Sequence, residues 1–223
     1  MFFRILAEAP ALGAIWIAVI FISLTVHEFS HALVGKWKGD PTAELAGRLT
    51  LNPLSHLDIW GFIPLLLFGF GWAKPVPFNP YNLKDPKWDA VAIAVAGPIS
   101  NLILSAVSGI ILRFMLAGGG EMTLLHVFLL LLVIINLFLF FFNLIPVHPL
   151  DGSKLIDALL TAPKWAQLRI AIATYGPQAL LMAVVISIIT NIDIFFFISA
   201  PAYATCDAVV GEYCAMMLVG FFL

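Results

Sequence analysis

The residues best placed to do chemistry are His27-Glu28-Phe29-Ser30-His31. Two histidines at i and i+4 on a helix lie on one face, where both can reach one zinc ion, and the glutamate between them is placed to hold a water at an open coordination position. Three ionisable groups on one turn follow 18 uncharged residues, Ala9 to Val26. Such groups are expensive next to an apolar segment unless something compensates them. A catalytic zinc takes three protein ligands and leaves a position open, so a third ligand is needed from elsewhere in the chain.

The chain that must position these residues has 223 amino acids, of which 62% are hydrophobic and 11% charged, with a net charge of -2. A soluble domain has about 25% charged residues, so this composition excludes a soluble enzyme. The charge balance also argues against a nucleic-acid partner. Two cysteines cannot form a disulfide framework, and Cys206 and Cys214 read as inert apolar residues rather than ligands or a bridge. The expectation is an all-α polytopic membrane protein.

A span needs about 20 apolar residues. Uncharged runs cover residues 9–26, 90–112, 122–150 and 170–192, and a further apolar stretch, 194–223, holds Asp207 and Glu212. Residues 59–73 are shorter and broken by Gly61, Pro64, Gly69 and Gly71, which suits a re-entrant segment. About five to six transmembrane helices follow, crossing near 11–35, 90–112, 124–145, 170–190 and 203–222, with a short re-entrant or β-like membrane-associated loop. Proline recurs through residues 72–80, which excludes helix there and leaves at most an edge strand. Such an edge could pair with an extended substrate strand. With these crossings, nine of the eleven basic residues share one side and only Arg4 and Arg113 fall on the other. That asymmetry marks the basic side as cytoplasmic. It puts the N-terminus outside, the C-terminus inside and the His27–His31 turn near the cytoplasmic face. The chain reads as a single membrane-embedded domain over 1–223, with a core at about 11–160 and C-terminal helices at about 165–223.

By depth, the candidates for a third ligand are Asp151, His148 and, less well, His56; His126 and Glu121 lie toward the outer side. The surrounding sequence favours Asp151. Pro146 and Pro149 end the preceding span, and unwound backbone at membrane depth is tolerated where it lines a polar cavity. Asp151-Gly152 can then turn the carboxylate back toward the bundle. Asn143 sits about one turn inside the end of that span.

The combination of His27-Glu28-x-x-His31 with Asn143-x-x-Pro146-x-x-x-x-Asp151-Gly152 resembles the site-2 protease family of intramembrane zinc metalloproteases, peptidase family M50. Gly97-Pro98-Ile99-Ser100-Asn101 matches that family's Gly-x-x-x-Asn pattern, and residues 71–80 resemble the membrane-associated loop of its compact members without a PDZ domain. The likeness covers about residues 15–160. It implies one Zn2+ held by His27, His31 and Asp151, with Glu28 as catalytic base. It implies Asn101 and Asn143 as support for substrate or the oxyanion, and His148 as a possible outer contact of the site. It further implies hydrolysis of peptide bonds in or near transmembrane segments, with transmembrane or membrane-anchored proteins as substrates, in a multi-pass cell-membrane protein whose site faces the cytoplasm. The alternative is a metal transporter or a non-proteolytic metal-binding membrane protein using the same His/Asp site.

Overall fold

The computed structural model describes residues 9–68, 71–119, 121–190 and 192–222. Arg4 and Gly69, used in the sequence reading, lie outside them. Helix α1 runs Pro10–Trp37, α2 Ile59–Phe68, α3 Trp88–Ala117, α4 Leu124–Asn143, α5 Gly152–Leu159, α6 Ala166–Thr190, α7 Phe196–Val210 and α8 Cys214–Phe222. Four of the helical segments, Pro10–Trp37, Trp88–Ala117, Leu124–Asn143 and Pro163–Thr190, are long and apolar enough to cross a membrane. The protein is therefore an all-α polytopic membrane protein.

Local residues mark the starts of two of the spanning helices. Pro10 opens α1, where a missing N–H loses nothing. Thr123 and His126 cap the start of α4 reciprocally, which settles His126 as a helix cap. Helix α4 packs against α1, α3 and α7. Its Leu130, Val133 and Leu137 are fully buried. Lipid tails are as apolar as leucine, so close packing and hydrogen bonds hold these helices together rather than a hydrophobic drive between them.

Helix α2 has ten residues, roughly 15 Å of helix, half of what a crossing needs. The chain returns to its starting level: the Lys74 N–H donates to the His56 carbonyl at 2.9 Å, and the Trp72 indole N–H donates to Asp58 at 3.3 Å. Residues 59–68 thus lead away, and residues 71–73 lie back at the level of residues 56–58. The segment 71–79 is extended but forms no strand among the described residues. It is tied instead at three further points. Arg48 donates to the Lys74 carbonyl, Val76 N–H donates to Glu28, and Asn79 N–H donates to Asp40 at 2.6 Å.

The C-terminal third corrects the sequence reading first in its crossings, both 170–190 and 203–222, and then in its cysteines. No single helix crosses over 203–222. The Phe195 ring packs 5.9 Å from Phe142 and Tyr203 packs on Phe138, so α7 enters the bundle beside the end of α4 and runs antiparallel to it. Its last turn meets α3 at Gly109 and Arg113. By Phe195 the chain is thus back at the end where α4 stops, and α7 rather than 170–190 leads from that end to the opposite one. The helix then breaks at Gly211, whose φ is +85°, and α8 begins after Asp207 accepts the Cys214 N–H at 2.8 Å. Apolar run lengths could not reveal this break. The second correction follows from it. The break brings Cys206 and Cys214 together as a disulfide inside the apolar core formed with Leu112, Leu129 and Leu130.

Asp40 anchors the loop after α1. It is 2% exposed and accepts from Thr42, Asn79 and Asn82. Burial works to raise its carboxyl, but the bonds from Thr42, Asn82 and Asn79 outweigh it and hold it below the usual carboxylate range. An acid lowered on folding stabilises the fold above its unfolded value of about 4, and that contribution is lost as pH falls through the lowered value. Asp40→Ala should destabilise the protein at pH 7 by about 2 kcal/mol. In thermal unfolding in detergent, the gap to wild type should shrink as pH falls below the ordinary carboxylate value of about 4. A gap independent of pH would contradict this assignment.

Candidate metal centre

Helical spacing on α1 brings the two histidine rings together, with centroids 4.6 Å apart. Their Nε2 atoms are 3.0 Å from each other. Asp151 Oδ2 lies 3.2 Å from His27 Nε2 and 3.4 Å from His31 Nε2. All three ligand atoms fall within 4.8 Å of one another, and both histidines are buried.

Two glycines make this approach possible. A Cβ on Gly97 of α3 would sit 2.4 Å from His31 Nε2 and 2.6 Å from His27 Cε1. Only a glycine lets the rings lie against α3. A Cβ on Gly152 would sit 2.4 Å from the Leu144 carbonyl, so the glycine after Asp151 lets α5 start against the end of α4 and present the carboxylate to α1.

The far sides of the rings set their protonation. His31 Nδ1 is 2.7 Å from the Ile93 carbonyl. A carbonyl only accepts, so this nitrogen carries the hydrogen and Nε2 is left with a lone pair. His27 Nδ1 is 2.6 Å from Asn101 Oδ1, with the same consequence. Two lone pairs and a carboxylate oxygen therefore point at a common centre, and buried Asp151 Oδ2 has no hydrogen-bond donor. Without a cation this arrangement is repulsive. Two imidazoles and a carboxylate are a donor set that zinc accepts, and outer oxygens fixing each imidazole are the usual support of such a site. The residues present fit the metal.

The centre lies in the wall of a cavity of about 730 Å³, bounded by α1, the loop 71–78, α3, α4 and α6. Leu24, Ile93, Leu139, Phe142 and Leu180 give it apolar walls. Glu28 also lines it, 8% exposed, and its Oε2 accepts the Val76 N–H at 3.1 Å. One amide of the edge at 72–80, that of Val76, is thus engaged by Glu28.

The remaining sequence candidates separate. Asn143 lines the cavity and spends one amide hydrogen on the Leu139 carbonyl at 3.0 Å. Asn101 does not line it. It is fully buried behind His27, so in this arrangement it has no contact with a substrate carbonyl. His148 lines the cavity with Nε2 3.4 Å from Asp157. His56 is 2% exposed in the loop before α2 and faces the Thr50 carbonyl, away from the cluster. Ser23 and Asn136, which the sequence reading missed, are fully buried and bonded to Asn101. Their signal was present as polar residues inside uncharged runs, Asn136 standing two helical turns before Asn143.

Comparison with known proteins points the same way. The family model for Peptidase family M50 matches residues 15–124, a stretch that includes His27, Glu28, His31 and Asn101 and ends before Asp151. A Bacillus subtilis protein named "Putative zinc metalloprotease YwhC" is 44% identical over 149 residues, 65% of this chain and 68% of that protein. Zinc metalloprotease MJ0392 of Methanocaldococcus jannaschii is 26% identical over 148 residues, 66% of this chain and 35% of that protein. No solved structure matches the chain.

Gly97→Ala tests the packing of the two rings. Alanine favours a helix over glycine, so α3 should form, but the added carbon displaces both rings. Metal analysis of the purified variant should show zinc affinity lower by about tenfold or more. Wild-type affinity would show that α3 can shift without disturbing the histidines.

Proposed function

We propose, for a chain that belongs to peptidase family M50 and is a zinc metalloendopeptidase, that it cleaves peptide bonds in or near the transmembrane segments of other membrane proteins, with Glu28 as general base. The observation that carries this reading is the placement of His27, His31 and Asp151 in the wall of a mostly apolar cavity between membrane-length helices, with Glu28 lining the same space.

Zinc in that position would lower the pKa of a coordinated water to about 7 and polarise a scissile carbonyl. His27, His31 and Asp151 would hold it and leave the cavity side open. Glu28 takes the proton from the attacking water and passes it to the leaving nitrogen. The Val76 N–H bonded to Glu28 restrains that carboxylate in the meantime. Asn143, rather than Asn101, has an amide hydrogen free among the described residues and faces the cavity, so it is the side chain that supports the developing oxyanion. Two neutral histidines, one aspartate and Glu28 leave the zinc site with no net charge, which suits a low-dielectric surrounding.

A substrate helix hides its carbonyls in its own hydrogen bonds. It must unwind before the cavity can take it as an extended chain, which favours substrates with helix-weak residues near the cut. The cytoplasmic orientation rests on two observations. Lys36, Lys38, Lys84, Lys87 and Lys154 gather at the cluster end of the bundle, along with exposed Trp37, Trp60, Trp72 and Trp88, as expected for a cytoplasmic interface. The disulfide packs against Leu112 and Leu129, at the opposite end, and disulfides persist in oxidising compartments.

Glu28→Gln tests the reading directly. Zinc content should be unchanged while cleavage of a single-pass model protein in bilayers falls roughly 10²–10⁴-fold. Membranes of cells carrying the variant should accumulate truncated single-pass proteins. Undiminished cleavage by Glu28→Gln would overturn the assigned base. Metal flux across vesicles without any cleavage by wild type would replace the protease with a transporter.

A further inference from the structure

We propose that Asn136 is a positioning residue for the metal centre: it fixes the orientation of the Asn101 amide, and through it the face that His27 turns to the metal. The inference rests on zinc being held by His27, His31 and Asp151.

The argument is one of hydrogen-bond direction. An asparagine amide has an accepting end and a donating end of nearly equal shape, so its orientation is set by its partners. His27 can offer Nε2 to a metal only if Nδ1 carries the hydrogen, which requires Asn101 to present Oδ1. Nothing at His27 itself forbids the flipped amide. The constraint comes from Asn136 of α4 at the shorter bond and from the Ser23 carbonyl of α1 at the longer one. Asn136 Nδ2 lies 2.7 Å from the Leu132 carbonyl and 2.8 Å from Ser23 Oγ. The carbonyl can only accept. The Ser23 hydroxyl spends its hydrogen on the Val19 carbonyl at 2.7 Å, so toward Asn136 it also accepts. Asn136 must therefore direct its NH₂ to these two and its Oδ1 to Asn101, whose Nδ2 is 2.6 Å away. The second Asn101 amide hydrogen points to the Ser23 carbonyl at 3.3 Å. With both its hydrogens committed, Asn101 has only Oδ1 left for His27.

The relay thus begins at backbone carbonyls of α1 and α4, which cannot reverse, and ends at a metal ligand. Ser23, Asn101 and Asn136 are all buried to 1% exposure or less, so water cannot substitute for a missing link. His31 needs no relay, because the Ile93 carbonyl fixes its ring in one step. Burying two asparagines and a serine among apolar helices is expensive, and a purely packing role would be met by leucine.

The test is a zinc-affinity comparison by chelator competition on the purified full chain. Asn136→Leu removes the constraint at similar size. Asn136→Thr, whose hydroxyl can bond the Leu132 carbonyl, removes the acceptor facing Asn101 together with the donor to Ser23 Oγ, and covers the case where leucine does not fold. Both should weaken zinc binding about 10–100-fold. Asn101→Asp supplies the decisive background: a carboxylate presents oxygen to His27 in either orientation, so there the Asn136 substitutions should change zinc affinity less than about threefold. Asn101→Leu, which has no amide to orient, carries the same expectation and replaces it if the carboxylate is not tolerated. Wild-type zinc affinity in both Asn136 variants would overturn the proposal. An equal loss in the Asn101 backgrounds would also overturn it, by showing a packing role. Failure of wild type itself to bind zinc would instead overturn the metal site on which the proposal rests.

Discussion

Three electron-pair donors converge on a point inside an apolar bundle, and most of the structure follows from what that demands. His27 Nε2, His31 Nε2 and Asp151 Oδ2 lie within 3.4 Å of one another, which requires a cation or a proton between them. In low dielectric their mutual repulsion is far stronger than in water. Bringing them together requires helical spacing on α1, a side-chain-free surface at Gly97 on α3, and a sharp re-entry at Gly152 after α4. The three transmembrane helices that pack most closely are the three that meet at this point. Metal binding and helix assembly therefore reinforce each other, because a site that exists only in the assembled bundle adds its binding free energy to the fold.

The donors must also face inward with the right atoms, and this is a second constraint of the same origin. A histidine ring offers either nitrogen, and water would scramble the choice. Backbone carbonyls cannot reverse. The protein uses them at both histidines, directly at Ile93 and at a distance through Asn101 and Asn136. Polar residues in a bilayer are tolerated when all their hydrogens are spent, and here spending them fixes a direction.

The sequence was most legible where chemistry is local. His27, Glu28 and His31 share one helical turn, so their spacing alone places them on one face. Asp151 was legible because so few ionisable groups lie at the right depth and prolines mark the end of the helix before it. The roles of Asn101 and Asn143 were not separable by depth. One lies behind a ligand and the other faces the cavity, and only the rotation of α3 and α4 about their axes distinguishes them. Ser23 and Asn136 escaped because the runs containing them were read for missing charge. Uncharged hydrogen-bonding residues do not interrupt such a run, yet here they do directional work. The C-terminal third was misread for a related reason. Apolar length carries no direction, so nothing in residues 170–222 announced that α7 would lie antiparallel to α4. The pairing of Cys206 with Cys214 depends on a helix break at Gly211 that two cysteines eight residues apart do not reveal.

Depth would decide how such a site works on the membrane-protein substrates proposed for it. His31 stands six residues before the end of α1, roughly 9 Å of helix. That is deep enough for apolar walls and shallow enough for water to reach the cavity past the loop at 71–79. The loop is held by Arg48, Glu28 and Asp40 through its backbone, and its prolines leave few free amide hydrogens to satisfy. A helix entering this space would meet a wall of side chains and one restrained strand of backbone. It can reach the cluster only after giving up hydrogen bonds of its own, so the barrier to unwinding becomes part of what selects a substrate. The Val76 N–H, now bonded to Glu28, sits at the junction of the loop and the proposed base, where the arrival of an extended chain and the freeing of the carboxylate would occur together.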